Sequence, residues 1–76
     1  MNTATEYIKL TGIKLRETEK AVHFEVRKVG DSDLQPHVIH WFPLSQIKSM
    51  TIVADRLDGD DEITVADWIC RSKELI

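Results

Sequence analysis

Acidic side chains crowd around one glycine in the second half of the chain, and oxygen ligands around a glycine are typical of calcium-binding loops. The acidic residues are Asp55, Asp58, Asp60, Asp61 and Glu62. A calcium loop with Gly59 as its sixth residue would need an oxygen ligand where this chain has Arg56 and a closing glutamate where it has Val65. We therefore expect no metal ion here. The expected role is an exposed acidic loop that contacts a basic partner surface, and the alternative is a loop that keeps the sheet edge soluble.

Basic side chains supply the second candidate site. A bulge at Gly12 would keep the aliphatic residues of the first strand on one face and its basic residues on the other. The basic set, completed from the second strand, is Lys9, Lys14, Arg16 and Arg27. Basic strand faces can follow a phosphate backbone, especially where aromatic side chains are interleaved for base stacking. Only Tyr7 and one of Trp41 and Phe42 are expected to be exposed, so the alternative is a solvated basic face.

Histidine and cysteine positions predict neither a metal centre nor a catalytic centre. His37 and His40 are three apart in an expected strand, so their rings point to opposite faces and cannot bind one ion. Cys70 has no glycine-rich nucleophile turn before it, and the three glycines are isolated from one another. We expect a protein that is not an enzyme, with no catalytic residue and no cofactor.

Charge is divided unevenly along the chain. The 76 residues are 42% hydrophobic and 30% charged, which is typical of a globular protein, and the net charge is −3. Residues 1–30 carry six basic and four acidic side chains, and residues 31–76 carry four basic and nine acidic ones, giving +2 and −5. Such asymmetry can steer a charged partner, whereas an acidic total argues against strong nonspecific binding of nucleic acid.

Apolar periodicity predicts the order β-β-β-turn-β-β-α. Alternation predicts strands over the segments YIKLTGIKLRE, AVHFEVRKV, HVIHWF, KSMTIVA and ITV. Residues 30–36 are rich in turn formers and predict a loop. The LSQI segment after Pro43 predicts one tight turn, and a three- and four-residue period predicts a helix beginning near residue 66.

The predicted order leaves no room for crossover helices, so the sheet should be antiparallel. We predict an α+β, mainly β fold: a small curled antiparallel five-stranded sheet, or an SH3-like or OB-like barrel, with one C-terminal helix. Residues 1–76 are expected to form a single small globular domain. Its core is expected to include at least one of Ile39 and Trp41 together with Ile8, Leu10, Ile13, Leu15, Val22, Phe24, Val26, Met50, Ile52, Ile63, Val65, Trp68 and Leu75.

The expected location is the cytoplasm. The single Cys70 cannot form an internal disulfide, and the first residues, MNTATEYIK, lack the apolar core of a signal peptide. No apolar run approaches the roughly 18 residues needed to cross a bilayer, so no membrane role is expected.

Three segments, ETEKAV, WFPLSQI and DEITVADWICRSKEL, resemble small proteins commonly encoded in phages and prophages. The resemblance covers most of the chain and implies a compact accessory protein of a mobile element, with no catalytic or binding residue assigned. One departure is Ala66, which stands where that pattern has proline at the start of the helix.

Such accessory proteins often act stoichiometrically on host machinery, including CRISPR effectors, whose nucleic-acid channels are basic. The resemblance therefore implies an inhibitor similar to anti-CRISPR proteins, which binds a host protein or ribonucleoprotein complex through the acidic loop of residues 55–62. The alternative is a small nucleic-acid-binding module that uses the basic face of the first hairpin. A small enzyme is the least expected class.

Overall fold

The computed structural model describes residues 6–55 and 59–76, which form one open antiparallel sheet of five strands and a short helix. The first three strands are β1 (Tyr7–Glu17), β2 (Ala21–Val29) and β3 (Ser32–Pro43). A 3₁₀ turn over Leu44–Gln46 leads into β4 (Ile47–Thr51), and β5 (Asp61–Ala66) runs directly into α1 (Asp67–Ser72). The sheet order is β3-β2-β1-β5-β4. The predicted antiparallel five-stranded sheet with one C-terminal helix is confirmed, and the sheet does not close into a barrel.

The third strand begins earlier than predicted. Residues 30–36 were expected to form a loop, but Gly30 and Asp31 alone make the turn, and β3 starts at Ser32. Gly30 has a positive φ of 62°, which glycine adopts without steric cost, and its amide donates to the carbonyl of Lys9 at 2.8 Å. Pro36 is tolerated inside β3 because β3 is an edge strand, where a missing amide proton breaks no ladder.

One face of the sheet, the inner face, carries the core and is covered in part by α1, which packs against β5 and β1. Strand alternation sends Phe24 of β2 and Phe42 of β3 to this face, where their rings meet edge to face at 6.5 Å. The buried residues are Leu10, Val22, Phe24, Val26, Phe42, Ile63, Val65, Ala66, Ile69, Cys70 and Leu75. Burial of one large apolar side chain contributes about 1.5–3 kcal/mol, so this set dominates the stability of a small sheet.

Seven of the predicted core residues are buried: Leu10, Val22, Phe24, Val26, Ile63, Val65 and Leu75. Ile8 and Met50 are partly buried against them. The prediction is wrong for Ile13, which lies on the outer face opposite Glu25. It is also wrong for five residues whose side chains are exposed: Leu15, Ile39, Trp41, Ile52 and Trp68. In β3 the inward aromatic residue is Phe42, opposite Val22, which leaves Trp41 on the other face. In α1, Ile69 and Cys70 face the core, and Trp68 lies outside that stripe.

The predicted bulge is present, but its extra residue lies on the other strand. Between the pairs Thr11–Lys28 and Gly12–Val26, the inserted residue is Arg27 of β2. Alternation along β1 is therefore not interrupted at Gly12.

The interruption in β1 comes at Leu15, which is inserted between the pairs Lys14–Phe24 and Arg16–His23. Because alternation continues through Gly12, Ile13 lies opposite Glu25 on the outer face and Lys14 lies on the Phe24 side of the sheet. The insertion of Leu15 then places Arg16 on the outer face, opposite His23. The predicted grouping of Lys14 with Arg16 on one face is wrong for this reason.

No helix within residues 6–55 and 59–76 is long and apolar enough to cross a lipid bilayer.

Candidate functional site

Two cross-strand rows of side chains lie on the outer face, the side of β1, β2 and β3 opposite the core. The aromatic row consists of Arg16, His23 and Trp41, and the apolar row consists of Ile13, Glu25 and Ile39. Each row follows from register, because residues directly opposite one another in antiparallel strands lie on the same face. Three strands therefore present six side chains side by side.

His23 and Trp41 form a parallel ring stack at the edge of this surface. Their ring centroids are 4.4 Å apart and their planes are inclined by 8°. Trp41 is 41% exposed, because the neighbouring Phe42 occupies the inward position of β3. The indole is thus held by a neighbouring ring while part of its surface stays open to a further planar group.

The outer face that carries the stack also carries three cations without an ion-pair partner among the described residues. Lys9, Arg16 and Lys28 are exposed on the outer face, and none of them forms an ion pair with another described residue. Arg16 is the nearest to the stack, since it lies directly opposite His23. Cations without an internal partner are available to an anionic ligand.

Arg27 differs from these cations because it is engaged within the protein. Its Nε donates to Glu25 Oε2 at 2.7 Å, and its Nη1 lies 3.9 Å from Asp60 Oδ1. The hydrogen bond to Glu25 raises the pKa of Arg27 above its ordinary value. His37 Nδ1 lies 3.7 Å from the same carboxylate oxygen, so Glu25 is the centre of a small polar cluster.

The predicted basic set is therefore divided by the structure. Lys9, Arg16 and Arg27 share the outer face, as expected. Lys14 lies on the inner side near the rim of the sheet, where its Nζ donates to Glu17 Oε1 at 3.0 Å. Lys14 belongs to a different surface from the other three.

The predicted acidic set is divided as well. Asp61 is fully buried, and its carboxylate accepts from the amides of Lys14 and Val53, each at 2.9 Å. Asp61 thereby joins β1 to the segment after β4, and the expectation that it lies on an exposed loop is wrong. Asp55 is exposed, and Asp60 and Glu62 are partly exposed. Asp58 lies outside the described residues, and a partner-binding role for the exposed residues stays a prediction.

Histidines and the cysteine occupy separate environments. His37 and His40 lie on opposite faces of β3, as predicted from their spacing. Within the described part of the chain, no three His, Cys, Asp or Glu side chains are arranged to hold a metal ion. Burial, followed by the charge of Asp67, raises the pKa of the Cys70 thiol, which keeps it in its weakly nucleophilic protonated form.

The stack of His23 and Trp41 was not predicted. Alternation in AVHFEV correctly places His23 outward, but its partner depends on the register between β2 and β3. That register is irregular, because four residues of β3 (34–37) lie where β2 has only Arg27. Sequence periodicity contains no signal for such an insertion.

Comparison with models of known families, with curated proteins and with solved structures found no match for this chain.

Proposed function

We propose that this protein is a non-enzymatic module that binds single-stranded nucleic acid on the outer face of β1, β2 and β3. In this proposal a base stacks on Trp41, and Arg16 contacts a neighbouring phosphate. The observation that carries the proposal is the exposed parallel stack of His23 and Trp41 beside an arginine that has no ion-pair partner among the described residues.

Base stacking fits the aromatic row because every base has a planar face, and one such contact is worth about 1–3 kcal/mol. The stack with His23 already restricts the orientation of the Trp41 ring. Little side-chain entropy is then lost when a base adds to the stack. In a duplex the base faces are covered by their neighbours, so this surface favours single strands over duplexes.

Phosphate contacts fit the distribution of cations. Arg16 and Lys9 lie near opposite ends of β1 and are separated by roughly 20 Å at the usual rise of a strand. Lys28 lies between them on β2, opposite Thr11. A nucleic-acid strand that crosses this face would therefore have more than one of its phosphates in contact with a cation. Its binding should weaken steeply with added salt.

The first test is fluorescence anisotropy with labelled single-stranded and double-stranded oligonucleotides at low salt. A Trp68→Phe variant leaves Trp41 as the sole tryptophan, so a bound base can be detected by quenching of Trp41 emission. We expect tighter binding of single strands, with quenching. Absence of binding, or equal binding of duplexes without quenching, would contradict the proposal, and the latter would indicate contact through charge alone.

We also propose a second candidate, an inhibitor of a host defence complex that acts in the cytoplasm through its acidic surface. The resemblance to phage accessory proteins supports it, as does the position of Asp55, Asp60 and Glu62 on the surface around β5. The combined variant Asp55→Asn, Asp60→Asn and Glu62→Gln separates the two candidates. It should lose inhibition in a defence assay if the acidic surface binds, and it should bind oligonucleotides at least as well as the wild type, because Asp60 lies beside Arg27.

A further inference from the structure

The outer edge of β3 carries backbone groups that are directed away from the sheet. β3 stands first in the strand order, so within the described part of the chain it pairs with β2 alone. The amide of Leu44, just after β3, donates to the carbonyl of Lys20 at 2.8 Å, on the side of β2. Backbone groups alternate in direction along a strand, so the N–H and C=O groups of Ile39 and Trp41 point away from β2. They offer donors and acceptors to a further strand.

The middle of this edge lacks the features that usually prevent two strands from pairing. Sheet edges are commonly protected by charged side chains, by proline or by bulges. Residues 37–42 contain no Asp, Glu, Lys or Arg, and the two prolines of β3, Pro36 and Pro43, lie outside this segment. The register with β2 is regular from Val38 to Pro43. This segment can therefore pair with an extended strand.

The opposite edge of the sheet, which is formed by β4, is protected. β4 is shorter than β3, and its register with β5 is interrupted at Lys48, between Ile47 and Ser49. An inserted residue bends an edge strand, and a lysine there opposes the addition of another strand. Head-to-tail pairing of β3 with β4 of another copy is therefore disfavoured, and the β3 strand of a second copy is the better partner.

The side chains of β3 are complementary to those of a second β3. Ile39 and Trp41 are both exposed on the outer face. In antiparallel pairing about a two-fold axis at His40, Ile39 of each copy lies opposite Trp41 of the other. A β-branched side chain opposite an aromatic one is a favourable cross-strand pair. The two His40 rings meet at the axis, and burial followed by the charge of Lys73 lowers the pKa of His40, which favours the uncharged form.

We propose that two copies of this protein associate through their β3 strands and form one continuous antiparallel sheet. Ile39 of the second copy then lies against the side of the Trp41 indole that His23 leaves open. A base uses this same side in the proposed function. Association therefore covers the stacking surface, and a second copy and single-stranded nucleic acid exclude each other.

Sedimentation velocity over a range of protein concentrations measures the association. The wild type should form a dimer whose fraction rises with concentration. Ile39→Lys should weaken the dimer by about tenfold or more, because each dimer loses the contact twice and gains a lysine at both edges. Ser49→Lys is the matched control, since it adds the same charge on the outer face of the other edge strand, and it should dimerise as the wild type does.

A disulfide tests the pairing itself. Two residues directly opposite each other at a non-hydrogen-bonded position have α-carbons about 4.5 Å apart, within the range that a disulfide spans. His40→Cys should therefore form a disulfide across the two-fold axis under mild oxidation. The wild type should not, because its Cys70 is buried.

Three results would overturn the association through β3: a wild type that stays monomeric at every concentration, a folded Ile39→Lys variant that dimerises as the wild type does, or a dimer in which His40→Cys forms no disulfide. The disulfide-linked dimer should also bind a single-stranded oligonucleotide more weakly than the reduced protein. Equal affinities would overturn the exclusion and leave the dimer standing. Failure of the reduced protein to bind would overturn the proposed function only, because the dimer is measured without nucleic acid.

Discussion

The carbonyl oxygen of Glu25 lies over the α-carbon of Gly12, so closely that a β-carbon at residue 12 would overlap with it. The contact lies beside the bulge at which Arg27 is inserted between the pairs Thr11–Lys28 and Gly12–Val26. Gly12 is thus required by the close approach of two backbones.

Gly12→Ala should therefore destabilise the protein by about 1–3 kcal/mol, because neither backbone can shift without breaking ladder hydrogen bonds. Thr11→Ala is the matched control, since Thr11 is the neighbouring residue and its side chain points to the outer face. Urea unfolding followed by circular dichroism measures both. Equal stabilities of the two variants would show that β2 moves aside at little cost.

Asp61→Ala should also destabilise the fold. The substitution leaves the amides of Lys14 and Val53 without their acceptor, at about 1–3 kcal/mol for each amide that water does not reach. Asp60→Ala, at the neighbouring and partly exposed position, should change stability little. Thermal melting distinguishes the two, and a stable Asp61→Ala variant would show that its carboxylate is dispensable.

The two tryptophans provide a matched pair for the stacking proposal, since Trp41 is 41% exposed and Trp68 is 50% exposed. Trp41→Ala should weaken binding of a single-stranded oligonucleotide by about tenfold to a hundredfold, the loss of one base stack. Trp68→Ala should leave the affinity unchanged. Similar losses in both variants would indicate that the outer face is not the binding surface.

The salt dependence of oligonucleotide binding should distinguish the roles of Arg16 and Lys14, two neighbouring cations on opposite sides of the sheet. Arg16→Gln should reduce the slope of log Kd against log salt by about 1, the amount expected for one lost phosphate contact. Lys14→Gln should leave the slope unchanged, because its ammonium group is paired with Glu17 at 3.0 Å. A reversed result would place the nucleic acid on the other side of the sheet.

His40 should make stability depend on pH. Its ring lies on the inner side, edge to face with Phe42 at 6.3 Å, and burial followed by the charge of Lys73 lowers the pKa of His40. The unfolded chain therefore takes up a proton first, so stability falls as the pH drops through the ordinary histidine value of 6.5. The decrease in stability ends once the pH is below the lowered pKa of His40 in the folded state.

His40→Gln should consequently show a smaller decrease in Tm between about pH 7 and about pH 5 than the wild type does. His37→Gln is the control for this experiment, because His37 lies on the outer face beside Glu25. The same decrease in His40→Gln as in the wild type would contradict the assignment.

Local periodicity was sufficient for most of the fold. The bounds of β1 and β2, the 3₁₀ turn after Pro43 and the start of α1 agree with the sequence pattern, because each depends on neighbouring residues only. Leu15 and Lys14 were placed wrongly because a bulge can insert its extra residue in either strand of a pair. The sequence pattern around Gly12 is the same whether the extra residue lies in β1 or in β2.

The candidate site was harder to predict because it depends on pairing between distant segments. Arg16, Lys9 and Arg27 were identified from their charge and alternation. For Trp41 the sequence left two alternatives open, burial in the core or exposure in place of Phe42. The adjacent Phe42 competes for the same inward position, and only the register with Val22 decides between them. Asp61 was assigned to the surface because it stands among acidic residues in the sequence. Its hydrogen bonds to the amides of Lys14 and Val53 depend on the folded arrangement and have no sequence signal.

The order of the strands along the chain affects which contacts can form first during synthesis. β1, β2 and β3 are neighbours both in sequence and in the sheet, so all residues of this meander, including His23 and Trp41, are synthesised before β5. The hydrophobic side of the meander, which carries Phe24 and Phe42, stays uncovered until the rest of the core, from β5 and α1, packs beside it. Local contacts generally form faster than distant ones, so we expect the proposed binding surface to form before the contacts that protect the hydrophobic side from aggregation.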